Sequence, residues 1–242
     1  MSRQAAGESD SSPRKARVGA IVVAAGASSR MEGIDKTFAL LGGVPMFARS
    51  VAAIEACLEV EAVVVVVAEH NMEAARETAR SHGWHKVVRV CRGGARRQDS
   101  VAQGLRELPP CDWVVVHDGA RPLMDSSLVA RGLEAAGESG CAIAAVPCKD
   151  TVKVVGAGGS VESTPDRSGL WLVQTPQVFR RDLLEEAHRE VIEDVTDDAS
   201  MVERLGLPVR VFMGSPWNLK VTTPDDLLVA EALLAGASAE QQ

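Results

Sequence analysis

Three short segments carry the residue types that handle a phosphorylated ligand. The first is Ala24-Ala25-Gly26-Ala27-Ser28-Ser29-Arg30-Met31, with Lys36 five residues beyond. Gly26 and its small neighbours let backbone N–H groups approach a phosphate without a Cβ in the way. Arg30 and Lys36 add charge that can neutralise a polyphosphate, Arg as a planar fork and Lys as a mobile point charge. The second segment, Gly93-Gly94-Ala95-Arg96-Arg97-Gln98-Asp99-Ser100, pairs two glycines with a hydroxyl that can bind a polar ligand edge. The third is His117-Asp118-Gly119-Ala120-Arg121-Pro122, whose carboxylate could meet sugar hydroxyls or a metal. The first loop matches neither the phosphate loop of P-loop NTPases nor the GxGxxG dinucleotide fingerprint, which disfavours both classes.

Each segment follows a continuous apolar run. Val18–Ala24, Ala62–Val67, Val87–Val90, Trp113–Val116 and Ala142–Val146 read as strands buried on both faces. Helical patterns lie between them. After Pro45 the stripe is Phe47, Val51, Ile54 and Leu58, and Asp99 or Ser100 can cap a helix with Val101, Leu105 and Leu108 on its inner face. Alternation of this kind means parallel βαβ units, which put the three segments at the carboxyl ends of strands, where α/β sheets bind ligands.

The alternation breaks at 149–170, which reads as two short strands around Gly156, Gly158 and Gly159. So small a hairpin cannot bury a core alone, so it is expected to be an arm that packs on a second subunit. Helices resume with Leu183, Leu184, Ala187 and Val191, then with Thr196 as a cap before Val202 and Leu205. The last helix is marked by Thr223, Pro224, Asp225 and Asp226. Residues 1–17 read as a disordered tail and 236–242 as a frayed one, leaving a domain at 18–235.

The 242 residues carry 26 Lys and Arg against 33 Asp and Glu, a net charge of −7, which argues against a general nucleic-acid binder. Aromatics are 3% and Tyr is absent, a composition suited to small residues packed between helices and a buried sheet rather than to an all-β sandwich. The five cysteines have no CxxC pair or zinc spacing and read as reduced thiols of a cytoplasmic protein. No apolar run approaches the roughly 20 residues that span a bilayer.

Taken together, AAGASSRM with Lys36, GGARRQDSV and VVVHDGARP resemble the 2-C-methyl-D-erythritol 4-phosphate cytidylyltransferase family. Further matches are Asp150-Thr151, Asp166-Arg167, Gly169-Leu170-Trp171, Gln174-Thr175-Pro176-Gln177, Thr196-Asp197-Asp198-Ala199 and Asn218-Leu219-Lys220-Val221-Thr222. The resemblance covers about residues 18–235. Its most specific parts are the HDGARP segment and the LW…QTPQ segment.

The resemblance implies a GT-A-like, Rossmann-like three-layer α/β sandwich with a mostly parallel mixed sheet and a protruding β-hairpin arm. It implies transfer of CMP from CTP to the alcohol phosphate, with Mg²⁺ bridging the triphosphate and no fused cyclase activity. By the same resemblance Arg30 and Lys36 are catalytic, and Ala24, Ala25, Gly26, Gly94, Ser100 and Asp118 bind the nucleotide. Arg121, Thr151, Arg167, Thr175, Thr196 and Lys220 bind the second substrate, with Asp118 facing either ribose or the alcohol. The arm crosses to the partner of a homodimer. A cytidylyltransferase for another polyol phosphate, such as ribitol 5-phosphate, and a non-catalytic nucleotide-binding regulator are the alternatives.

Overall fold

Val18–Ala24 forms β1, buried along nearly its whole length. In the computed structural model the described residues are 15–26 and 36–239, without the side chains of Lys36 and of 237–239. The tail at 1–14 and most of the loop after β1, with Arg30, lie outside them. A small hairpin of β2 (Leu40–Leu41) and β3 (Val44–Pro45) then leads into α1 (Met46–Glu55). Next come β4 (Val60–Val67), α2 (Met72–Ser81), β5 (Val87–Arg92), α3 (Arg97–Glu107), β6 (Trp113–Asp118), α4 (Ser127–Ala136) and β7 (Cys141–Pro147). The arm holds β8 (Val154–Val155) and β9 (Val161–Ser163). The chain returns as β10 (Trp171–Arg180) and ends with α5 (Arg181–Glu190), α6 (Ala199–Arg204), β11 (Arg210–Met213) and α7 (Pro224–Ala239).

Seven strands form one sheet in the order β11-β7-β10-β6-β1-β4-β5. All neighbours pair in parallel except β10, which is antiparallel to both β6 and β7. The arm explains the exception. It continues the β7–β10 ribbon beyond the sheet, with the Cys148 amide donating to the Leu170 carbonyl, so the chain returns without a crossover helix. The Val- and Ala-rich strands are apolar on both faces because helices cover both. Ala20, Val22, Val63 and Val65 pack on one side with Phe47, Val51 and Leu128; Ile21, Val64 and Val66 pack on the other with Val101, Leu105 and Leu184. Each such side chain, buried completely, contributes about 1.5–3 kcal/mol.

Several local expectations are corrected. The stripe of α1 stops before Leu58, which is 88% exposed because the helix has already ended at Glu55. The N-cap of α3 is Arg96 rather than Asp99 or Ser100; Asp99, in the first turn, accepts the Arg96 amide at 3.1 Å. The helix after Thr196 has Asp198 at its N-cap position, but the side chain that caps it is Asp197, whose Oδ1 accepts the Ser200 amide at 3.0 Å. The last helix begins as expected, with Thr223 Oγ1 accepting from the Asp226 amide, and runs to Ala239.

All five cysteines are free thiols. Burial pushes Cys57 up to about 12 and Cys91 up to about 11, so these two stay protonated at neutral pH. Among the described residues no helix is long and apolar enough to cross a membrane.

Candidate active site

The carboxyl ends of β1, β5 and β6 meet the incoming end of β10 at one edge of the sheet, and two cavities open there. One, of about 380 Å³, is lined by Ala24, Ala25, Gly26, Gly94 and Ser100. The other, of about 390 Å³, is lined by Arg121, Gln174, Thr175, Gln177 and Thr196. Arg97, Asp118 and Lys220 line both and form the wall between them.

The first cavity depends on loops too close for side chains. A Cβ on Gly93 would collide with the Ala25 Cβ, and one on Gly119 would lie 2.8 Å from the Ala24 Cβ. Ser100 braces the second loop: its hydroxyl donates to the Arg96 carbonyl at 3.2 Å and accepts the Gly94 amide at 3.1 Å. That hydroxyl braces the loop and still keeps one acceptor lone pair toward the cavity it lines.

The second cavity owes its shape to β10. The ladder to β7 shifts register between Val173 and Gln177, a bulge that takes Gln174 and Thr175 out of regular pairing. The Thr175–Pro176 peptide within it is cis. Thr175 Oγ1 accepts the Asp118 amide at 3.0 Å and lies 2.9 Å from His117 Nδ1. Asn218 Nδ2 donates to the Thr175 carbonyl at 2.7 Å, fixing the segment that carries Lys220 against the bulge.

Asp118 is the electrostatic centre of the wall. Its Oδ1 accepts from Arg97 Nε at 3.1 Å, its Oδ2 lies 2.9 Å from Lys220 Nζ, and Arg121 Nε stands 3.7 Å from Oδ2. Burial alone would raise this carboxyl, but Arg97, Lys220 and Arg121 outweigh it and hold the group far below the usual carboxylate range. His117 is fully buried, and burial lowers it to about 4, so it is neutral at physiological pH.

The sequence profile of the family described as 2-C-methyl-D-erythritol 4-phosphate cytidylyltransferase matches residues 18–236. The chain belongs to that family. An enzyme of that name from Dehalococcoides mccartyi strain CBDB1 is 50% identical over 218 residues, covering 90% of this chain and 96% of the relative. A structure of the Anaerococcus prevotii 4-diphosphocytidyl-2C-methyl-D-erythritol synthase superposes with a TM-score of 0.81 at 26% identity, over 91% of this chain and 99% of that one. A structure of the Thermus thermophilus 2-C-methyl-D-erythritol 4-phosphate cytidylyltransferase gives 0.74 at 33% identity, over 89% and 98%. The mostly parallel sheet with helices on both sides agrees with the fold expected from the family.

Of the residues expected from the family resemblance, Ala24, Ala25, Gly26, Gly94, Ser100, Asp118 and Lys220 border the first cavity, and Arg121, Thr175 and Thr196 border the second. Arg30 and the side chain of Lys36 lie outside the described residues. Thr151 and Arg167 are exposed on the arm and line neither cavity of their own chain; Arg167 Nη1 donates to the Lys149 carbonyl at 2.7 Å. Arg121, expected to face hydroxyls of a substrate, also makes bonds within the chain. Its guanidinium is buried and braces backbone, donating to the Asn218 carbonyl at 2.8 Å and the Val173 carbonyl at 3.3 Å. Asp118 has a cation at each of its oxygens.

Sequence reasoning misses Arg97, although it lies inside the GGARRQDSV segment. Its position three residues before Ser100 on α3 is a usable signal, because that spacing puts both on one face, and both line the first cavity.

Magnesium finds no ready protein cage. Among the described residues no group of three or more His, Cys, Asp or Glu is disposed to hold a metal, and the Asp118 carboxylate is committed to Arg97 and Lys220. A magnesium ion held only in part by protein would suit such a site, since magnesium commonly keeps waters and substrate phosphates as ligands.

Proposed function

We propose that the two cavities receive the two substrates of the family's reaction, with the new bond forming across the wall of Arg97, Asp118 and Lys220. The reaction joins the CMP moiety of CTP to 2-C-methyl-D-erythritol 4-phosphate, giving 4-diphosphocytidyl-2-C-methyl-D-erythritol and pyrophosphate on the non-mevalonate route to isoprenoids. A phosphate oxygen of the alcohol attacks the α-phosphorus of CTP in line. One P–O bond forms, the bond to the oxygen bridging to the β-phosphate breaks, and pyrophosphate leaves. A phosphomonoester is already nucleophilic near neutral pH, so the protein supplies positioning and positive charge rather than a strong base.

In this reading Ala24, Ala25, Gly26 and Gly94 offer backbone contacts to the nucleotide, and Ser100 holds the loop that frames the base. Arg30 and Lys36 neutralise the triphosphate and the crowded phosphorus, a neutralisation to which Mg²⁺ would add when bound with the nucleotide. Thr175, Thr196 and Lys220 hold the incoming phosphate, while Asp118 and Arg121 keep Lys220 and the bulge in place. The observation carrying this reading is that Lys220 Nζ, anchored on Asp118 at 2.9 Å, borders both cavities at once.

The active unit is a homodimer in the cytoplasm, each site completed by Thr151 and Arg167 from the partner's arm. Three exposed apolar residues of the arm support this: Val154, Val155 and Val161 are 43%, 53% and 58% accessible and need a surface to cover them. Five free cysteines, three of them buried, suit a reducing compartment.

The alcohol specificity is tested by pyrophosphate release from CTP with each candidate acceptor. Preference for methylerythritol phosphate is expected; a marked preference for ribitol 5-phosphate would overturn the assignment.

A further inference from the structure

Asp198 has a completely buried side chain at the start of α6, behind the wall that divides the cavities. Its Oδ2 accepts from Arg97 Nη1 at 2.5 Å. Its Oδ1 makes no hydrogen bond among the described residues and lies 3.5 Å from His188 Nε2, which is equally without a hydrogen-bond partner. Burial would raise the Asp198 carboxyl, but Arg97 and His188 more than offset it, so it remains ionised.

Neither capping nor stability accounts for this carboxylate. The Ser200 amide is taken by Asp197 and the Met201 amide by the Asp198 carbonyl, leaving the Asp198 carboxylate no hydrogen bond to its own helix. A buried ion pair gives little net stability over apolar side chains of similar volume. Its reach toward Arg97 is specific. Arg97 is held at two points of its planar fork, by Asp198 at Nη1 and by Asp118 Oδ1 at Nε, and a fork gripped twice cannot rotate.

We propose that Asp198 is a positioning residue for the transfer reaction: its ion pair fixes Arg97, and thereby leaves Asp118 Oδ2 to Lys220 at the junction of the two cavities. Without the Asp198 carboxylate, Arg97 turns to take both oxygens of Asp118 in bidentate fashion and displaces the ammonium. The inference rests on the functional reading above, in which Lys220 meets the incoming phosphate. Displacement by about 1 Å of such a group costs roughly 10²-fold in rate.

The test compares Asp198→Asn, Arg97→Gln and the double variant by steady-state kinetics, with the wild type alongside. Asp198→Asn should lower kcat by about 10- to 100-fold while KM for CTP stays within about threefold. The double variant should have the kcat of Arg97→Gln, because Asp198 acts through Arg97. An unchanged kcat in Asp198→Asn, or losses that multiply in the double variant, would overturn the proposal. Should Asp198→Asn fail to fold, the comparison of Arg97→Gln with the double variant decides alone: equal kcat supports the role, and a further tenfold fall excludes it. Absence of turnover in the wild type would instead overturn the functional reading.

Discussion

Lys220 Nζ sits 2.9 Å from Asp118 Oδ2 while the other oxygen of that carboxylate accepts from Arg97, so one buried acid orients two cations at the junction of two cavities. The Lys220 side chain is still 42% exposed and lines both cavities, so it remains within reach of a ligand. Lys220→Met should therefore lower kcat by about 10²–10³-fold, the usual cost of one electrostatic donor. The melting temperature should change little, because the buried Asp118 keeps Arg97 and the Lys220 side of the pair is exposed to solvent. Kinetics and thermal unfolding on the same preparation check both halves.

Asp118→Asn should behave in the opposite way on stability. It strands Arg121, whose side chain is 9% exposed, together with Arg97. Loss of one member of a buried charge cluster costs about 3–5 kcal/mol, and urea unfolding should report a fall of that order. An unchanged midpoint would contradict the assignment of Asp118 as the organiser of the wall.

His117 gives a pH prediction. Its folded-state value, about 4, lies below that of an unfolded histidine, so the unfolded chain binds the extra proton between the two values. The contribution to stability is complete above about pH 6.5 and is lost as pH falls toward 4. The difference in unfolding free energy between pH 7 and pH 4.5 should shrink in His117→Gln. An equal acid sensitivity in wild type and variant would contradict the neutral, buried assignment.

Gly93→Ala tests the close approach of the first two loops. The added methyl meets the Ala25 Cβ, so the backbone must move where the nucleotide is expected to bind. KM for CTP should rise severalfold, with a smaller change in KM for the alcohol phosphate.

Sharing of the site is tested by complementation. Lys220→Met and a Thr151→Ala/Arg167→Ala variant should each be nearly inactive, yet equal mixtures should regain about a quarter of wild-type activity through mixed dimers. A fully active monomer by sedimentation would refute the shared site.

The apolar runs made the parallel strands legible because their residues are buried on both faces and bounded by Gly loops, as at Val18–Ala24. Motif order brought Gly94, Asp118, Thr175 and Lys220 to one edge, although 126 positions separate the first and last of them. Side-chain pairing was not legible. Arg121 and Arg97 look alike in the sequence, yet one braces carbonyls and the other bridges two carboxylates, because only the fold decides which partners surround a guanidinium. The caps of α3 and α6 slipped for a related reason. Several polar residues stood near each start, and tertiary contacts assigned Ser100 to the Gly94 loop and Thr196 to the second cavity.

The most direct measurement is a structure of the protein with a non-hydrolysable CTP analogue, Mg²⁺ and the alcohol phosphate bound together. The cytosine and ribose should occupy the cavity at Ala24–Gly26 and Gly94, the alcohol phosphate should lie by Thr175 and Thr196, and Lys220 should stand between the two phosphates. Both ligands in one cavity, or a nucleotide on the Thr175 side of the wall, would contradict the account.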